Sequence, residues 1–272
     1  MNEYIKKTCV KNVRMPNCLE IKTVQATSFK ILLEALKELL TDTCIEFDDT
    51  GIKIIAMDFS HIVLVHLRLD AAKFEYYYCK NKISIGVNML NFHKLIKTTN
   101  NNDSLTMFID EDDINHLGIK IENTEKNTKT VYKLNLLEPD NQRISIEPTQ
   151  FNSVITLPSI DFQKICRDMS NVSDFVEIKN IYNQLVFSCK GDFCTQETVF
   201  TDNETCREEE KDKNEIVQGI FKLKYLVLFT KCTNLCNTIE LYLKNDYPLI
   251  IKYSVASLGD IKLAIAPSEC DL

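Results

Sequence analysis

Apolar residues recur at helical spacing in four places along the chain and alternate with polar ones through most of the remainder. In residues 29–40, FKILLEALKELL, Phe29, Leu32, Leu33, Leu36, Leu39 and Leu40 share one face, the i, i+3, i+4, i+7 pattern of an amphipathic helix. Thr27 and Ser28 before it are candidate N-caps. The same spacing predicts a helix from about Asn88, with Phe92, Leu95 and Ile96 inward, and one over 162–172 with Phe162, Ile165, Cys166 and Met169 inward. A fourth, uninterrupted, is predicted over 222–235. Strand-like runs lie between. Residues 45–47 and 52–57 flank Asp48-Asp49-Thr50-Gly51, a hairpin turn, and 61–69 is strongly β-prone. Residues 74–79 and 82–87 read as a strand pair, and three strands near 104–109, 116–122 and 130–134 follow.

This order repeats. After residue 151 the chain again gives strand, helix, several strands, helix and three strands. The two halves are joined by LNLLEPDNQRISIEPTQ, residues 134–150, where Pro139 and Pro148 remove backbone donors. The apolar Leu134, Leu136, Leu137, Ile144 and Ile146 are too many for a solvated tether. An extended segment lying on the surface that it crosses is expected. The pattern therefore predicts an α+β chain: an N-terminal basic extension over 1–17, a first domain over 18–133, a connecting segment over 134–151 and a similar second domain over 152–272. Each domain has two helices packed on antiparallel sheets.

Composition narrows the chemistry. The chain has 272 residues, 44% hydrophobic and 26% charged, ordinary for a globular protein. No apolar run reaches the ~20 residues of a membrane helix, and the first 17 residues lack the apolar stretch of a signal peptide. The six glycines form no phosphate-cradling motif. The 11 cysteines show no zinc spacing and read as reduced thiols. Carboxylates cluster at Glu46/Asp48/Asp49 and Glu111/Asp112/Asp113; both sit at turns without a His or Lys partner, a poor match to a nuclease metal site.

Net charge is −7, against general nucleic-acid affinity. The distribution says otherwise. Each predicted helix carries two basic residues on its polar face: Lys30 and Lys37, Lys94 and Lys97, Lys164 and Arg167, Lys224 and Lys231. One such pair is ordinary helix solvation; four at matching places in a duplicated pattern indicate a surface that is positive where the helices face and negative elsewhere.

Specific motifs then bring in a family. Residues 56–65, AMDFSHIVLV, resemble the Met-Asp-x-Ser-His-Val-x-Leu-Val signature of the eukaryotic-type sliding clamp family, proliferating cell nuclear antigen. Leu33-Glu34-Ala35-Leu36-Lys37, Gly86-Val87-Asn88, Ile165-Cys166-Arg167-Asp168-Met169-Ser170, Asp246-Tyr247-Pro248-Leu249 and Ala266-Pro267 match in order. The resemblance spans roughly residues 18–268.

The resemblance implies a homotrimeric ring with helices lining the hole and sheets outside, subunits meeting by edge strands near 127–134 and 192–201. It implies loose, sequence-independent phosphate contacts to double-stranded DNA by Lys30, Lys37, Lys94, Lys97, Lys164, Arg167, Lys224 and Lys231. It further implies a partner-peptide groove formed by Met57, His61, Ile62, Leu64, Ile144, Ile146, Pro248, Ala266 and Pro267. DNA polymerase, a clamp loader and other proteins with short clamp-binding motifs would dock there. The resemblance brings no catalytic role, cofactor, metal or membrane, and its usual setting is the nucleus, or a cytoplasmic viral factory for a clamp encoded by a large DNA virus. Three positions depart from the pattern: Ile31 stands where a second Lys is common, Asn171 where a His is common, and Ala264 where an aromatic is usual. A subunit of a heterotrimeric, checkpoint-type ring is the alternative, and a metal-dependent enzyme acting on nucleic acid a third.

Overall fold

The computed structural model describes residues 17–138, 144, 149–151, 153–181, 184–201 and 217–268. The basic extension up to residue 16, Pro139, Ile146, Pro148 and the charged loop 202–216 lie outside the described residues.

In chain order the first half runs β1 (Asn17–Thr23), α1 (Ala26–Leu39), β2 (Asp42–Asp48), β3 (Gly51–Met57), β4 (Val63–Asp70), β5 (Tyr76–Cys79), β6 (Ile83–Asn88), α2 (Met89–Ile96), β7 (Asp103–Asp110), β8 (Asp113–Asn123) and β9 (Thr128–Asn135). The second half runs β10 (Ser153–Pro158), α3 (Ser159–Ser170), β11 (Phe175–Ile181), β12 (Gln184–Lys190), β13 (Thr195–Phe200), β14 (Val217–Lys222), α4 (Leu223–Phe229), β15 (Thr238–Leu243), β16 (Leu249–Val255) and β17 (Gly259–Ile265).

The strands form three antiparallel sheets in the orders β5-β1-β7-β8-β9, β10-β15-β16-β17-β4-β3-β2-β6 and β13-β12-β11-β14. The middle sheet is shared by both halves: β10-β15-β16-β17 repeats β1-β7-β8-β9, and β4-β3-β2-β6 repeats β13-β12-β11-β14. The seam is the β17–β4 ladder, from Gly259↔Leu69 to Ile265↔Val63. Strands alternate inward apolar and outward polar residues, as in β17, where Ile261, Leu263 and Ile265 are buried and their neighbours are not.

The helices cover the inner faces. In α1, Phe29, Leu32, Leu33, Leu36 and Leu39 are buried, as the periodicity predicts. Its N-cap is Gln25 rather than Thr27 or Ser28; Thr27 lies in the first turn, and its hydroxyl donates to the Asn101 side chain at 3.0 Å. Helix α2 has a side-chain cap, Asn88 accepting from the Asn91 N–H at 3.0 Å. Helix α3 starts at Ser159, whose buried hydroxyl donates to the Cys236 carbonyl at 2.6 Å.

Two local expectations change. The fourth helix is not continuous: α4 ends at Phe229, and Thr230–Leu235 tightens into a 3-10 turn. The Thr230 hydroxyl donates back to the Val227 carbonyl at 2.7 Å, a side-chain bond that competes with the regular ladder. The segments 74–79 and 82–87 are not a hairpin pair. Strand β5 pairs with β1 and β6 with β2, in different sheets. Ile85, Gly86 and Val87 are consecutively buried, which requires cover on both faces; β6 obtains it in the central sheet, where the connector lies on Gly86.

Candidate functional site

The four helices form one layer. Helix α1 packs on α2 on one side and on α4 and the 3-10 turn on the other, and α3 packs on α4 and that turn. The basic residues singled out by sequence all lie on this layer. Lys94, Lys97, Lys164, Arg167, Lys224 and Lys231 are exposed, whereas Lys30 and Lys37 are half-buried. The Lys30 ammonium reaches the Thr99 carbonyl at 3.5 Å and Lys37 pairs with Glu38 at 2.8 Å. His93 reports how closely the cations gather: burial lowers its pKa first, and Lys37, Lys97 and Lys30 lower it further against Glu34. Glu38 is held below the usual carboxylate range by its hydrogen bond to Lys37, with Lys231 of the second half also acting on it. Cations of both halves therefore share one surface.

One basic residue escaped the sequence pattern. Lys126, in the turn between β8 and β9, lines a common depression with Lys30, Asn101 and Asn102. A lone Lys in a turn has no periodicity to betray it; only the fold brings it beside α1.

On the opposite face, strand pairing assembles much of the predicted groove. Met57 stands opposite Leu64, and Leu64 opposite Ala264. The Ala266 N–H donates to the Ile62 carbonyl at 3.0 Å, and Pro248 directly precedes Leu249, which pairs with Ile265. Pro267 is exposed one residue beyond Ala266. Beside these residues the loop 58–62 is folded around one carboxylate. Asp58 accepts the N–H groups of Ile62 at 2.8 Å and Val63 at 2.7 Å, and the Ser60 N–H and hydroxyl on its other oxygen. Burial opposes the charge on Asp58, but these bonds outweigh it and hold its pKa below the usual range. His61 adopts a positive φ of 55° there. The Ser60 and Tyr225 hydroxyls lie 2.8 Å apart, fastening the loop to α4.

The described parts of the connector stand at opposite edges of the central sheet. Leu137 bridges to Gly86 on edge strand β6. At the far edge, Phe151 meets the rings of Tyr242 and Tyr247 at 5.4 and 5.6 Å, and Thr149 bonds the Tyr247 hydroxyl at 2.9 Å. Ile144 between them is partly buried; Ile146 lies outside the described residues.

The acidic clusters are tied up locally. Asp48 is paired with Lys53 at 2.7 Å and bonded by Thr50, and Asp113 is bonded by His116 and by Lys133 at 2.6 Å. Among the described residues no three His, Cys, Asp or Glu side chains gather as metal ligands. Cys166 and Cys232 lie among basic residues in sequence but are buried, and burial raises both thiols, Cys232 to about 12, the inert direction. Among the described residues no helix is long and apolar enough to cross a membrane.

Comparison with known proteins gives the same two-part division. Residues 18–143 match the N-terminal domain of proliferating cell nuclear antigen and residues 145–268 its C-terminal domain. A relative described as a probable DNA polymerase sliding clamp 1, from Paramecium bursaria Chlorella virus 1, is 36% identical over 255 residues, covering 91% of this chain and 95% of that one. A duplicated α+β fold, a shared basic helix layer and domain matches from residue 18 to residue 268 together show that the chain belongs to the proliferating cell nuclear antigen family of DNA polymerase sliding clamps.

Proposed function

We propose that three copies of this chain close into a ring around duplex DNA, with the helix layer inward, and that the ring confers processivity by tethering polymerase and other partners. The observation that carries this reading is the state of the sheet edges. The internal repeat matches β9 with β17 and β13 with β4. Strands β17 and β4 already pair within the chain, while β9 and β13 end their sheets. A β9–β13 ladder between copies would repeat the internal seam, and a head-to-tail contact of this kind closes into a ring at the right rotation. It would also cover two open edges. Carrying over the register of the internal seam sets Thr130 opposite Thr198, Tyr132 opposite Gln196 and Val131 opposite Glu197.

Within such a ring Lys94, Lys97, Lys164, Arg167, Lys224 and Lys231 face the DNA, with Lys30, Lys37 and Lys126 behind them. Flexible point charges attract phosphates without fixing a register. Partner motifs insert apolar side chains at Met57, Ile62, Leu64 and Ala266, with His61, Pro248 and Pro267 around them and Ile144 and Ile146 of the connector alongside. The role is topological and makes or breaks no bond. The clamp works wherever the DNA that it serves is copied: the nucleus, or a viral factory.

Light scattering across a dilution series tests the assembly. A mass of three chains that persists on dilution is expected. A monomer at every concentration would overturn the homotrimer in favour of a mixed ring with other subunits.

A further inference from the structure

The outer face of the central sheet carries two adjacent cross-strand rows of opposite character. The first is the groove row: Met57, Leu64, Ala264, Ile250 and Tyr242 stand opposite one another across five strands. Two residues along each strand, about 7 Å away, the second row reads Ile55, His66, Lys262, Lys252 and Glu240. Lys262 therefore has Lys252 directly opposite on one side and His66 on the other. Like charges so placed oppose folding.

The cations around Lys262 are compensated and Lys262 is not. Lys252 bonds Glu240 at 3.2 Å, Lys53 bonds Asp48 at 2.7 Å and Arg68 meets Asp70 at 3.4 Å. Among the described residues no carboxylate lies within 4.0 Å of the Lys262 ammonium. Asp260, two positions along β17, stands opposite Arg68. Glu240 feels Lys262 only after its own bonds to Tyr242 and Lys252. Lys262 is partly buried and stands two residues from Ala264 of the groove row on the same face of β17.

We propose that Lys262 is a specificity residue of the groove: the partner motif that docks here carries an Asp or Glu beside its apolar anchors, and that carboxylate is received by Lys262. The carboxylate supplies the counter-charge missing from the second row while the anchors cover the first. The inference rests on the groove reading above.

The test uses synthetic peptides with one aliphatic and two aromatic anchors in a helical turn, each with a single Glu or its Gln twin at one non-anchor position. Binding to the full chain is followed by fluorescence anisotropy at low ionic strength. At least one Glu peptide should bind about threefold tighter than its Gln twin, the scale of one exposed ion pair. The gain should vanish in Lys262→Gln and become a loss in Lys262→Glu. No gain for any Glu peptide, or a gain that survives Lys262→Gln, overturns the proposal while Gln peptides that still bind keep the groove. If no peptide binds, the groove reading falls and the proposal with it.

Discussion

The Leu137 N–H donates to the Gly86 carbonyl at 2.8 Å, and Gly86 has no room for a side chain on that side. A Cβ added there would lie 2.7 Å from the Leu137 oxygen and 2.9 Å from that of Glu138. These are backbone atoms and cannot swing aside, so the connector must lift. Gly86→Ala should cost about 1–3 kcal/mol, or about 2–4 °C in melting temperature per kcal/mol for a chain of this size. It should also weaken peptide binding if the connector borders the groove as proposed. An unchanged melting temperature would show that the connector does not rest on β6.

Asp58 organises the loop 58–62, the lip of the proposed groove, by accepting from three backbone amides and one hydroxyl. Asp58→Ala leaves those donors unpaired and should cost about 2 kcal/mol, measured by urea unfolding, with a matching loss of peptide affinity. His61→Gly should keep the loop, since glycine accepts the positive φ at no cost. Any affinity lost in that variant belongs to the imidazole.

His66 and His93 should contribute to the acid response of the fold. Burial lowers the pKa of both His66 and His93, helped by Lys262 at one and by Lys37 at the other. The folded state therefore binds fewer protons than the unfolded chain as pH falls below about 6.5. Their stability contribution is intact above that pH and lost on acidification. Melting temperatures from pH 7.5 to 5 should fall, and the fall should be shallower in His93→Gln. Equal slopes in both proteins would remove His93 from the account.

The inter-subunit register can be tested with charge. If Val131 faces Glu197 of the next copy, Val131→Glu sets two carboxylates opposite one another and Val131→Lys sets a complementary pair. Each cross-strand pair is worth roughly 0.2–1 kcal/mol, and a trimeric ring multiplies it threefold. Val131→Glu should dissociate at a higher concentration than wild type by mass photometry, and Val131→Lys at the same or a lower one. Identical behaviour of the two variants would reject the register.

For the helix layer, reversing Lys94, Lys164, Arg167 and Lys231 to Glu should abolish polymerase stimulation and leave the ring mass unchanged. These four are exposed and make no ion pairs among the described residues. Stimulation retained at moderate salt would show that the layer does not meet DNA.

The helices and the duplication were legible because each rests on short-range periodicity. Phe29, Leu32, Leu33 and Leu36 point inward whatever else the chain does. The turn within residues 56–65 is local too: Asp58 accepts from residues two to five positions on. What failed was non-local. Strands β5 and β6 look like a hairpin in sequence, yet Tyr77 pairs with Ile21 and Ile85 with Ile45, partners that no local pattern names. Lys126 was missed because only the fold sets it in one depression with Lys30, almost a hundred residues away. The tightening after Phe229 is a local exception: it coincides with the Thr230–Val227 bond, a detail that periodicity does not show.

The β17–β4 seam joins two modules that one polypeptide already tethers, whereas in the proposed ring β9 and β13 would have to find each other across separate molecules. In a ring of three chains tethered and untethered seams alternate. A tethered seam that parts is re-formed at the high local concentration set by its linker; an untethered one re-forms only while the rest of the ring holds its edges in place. If the proposed ring forms, strain applied to it should find its outlet at the joints between chains, and DNA should enter there.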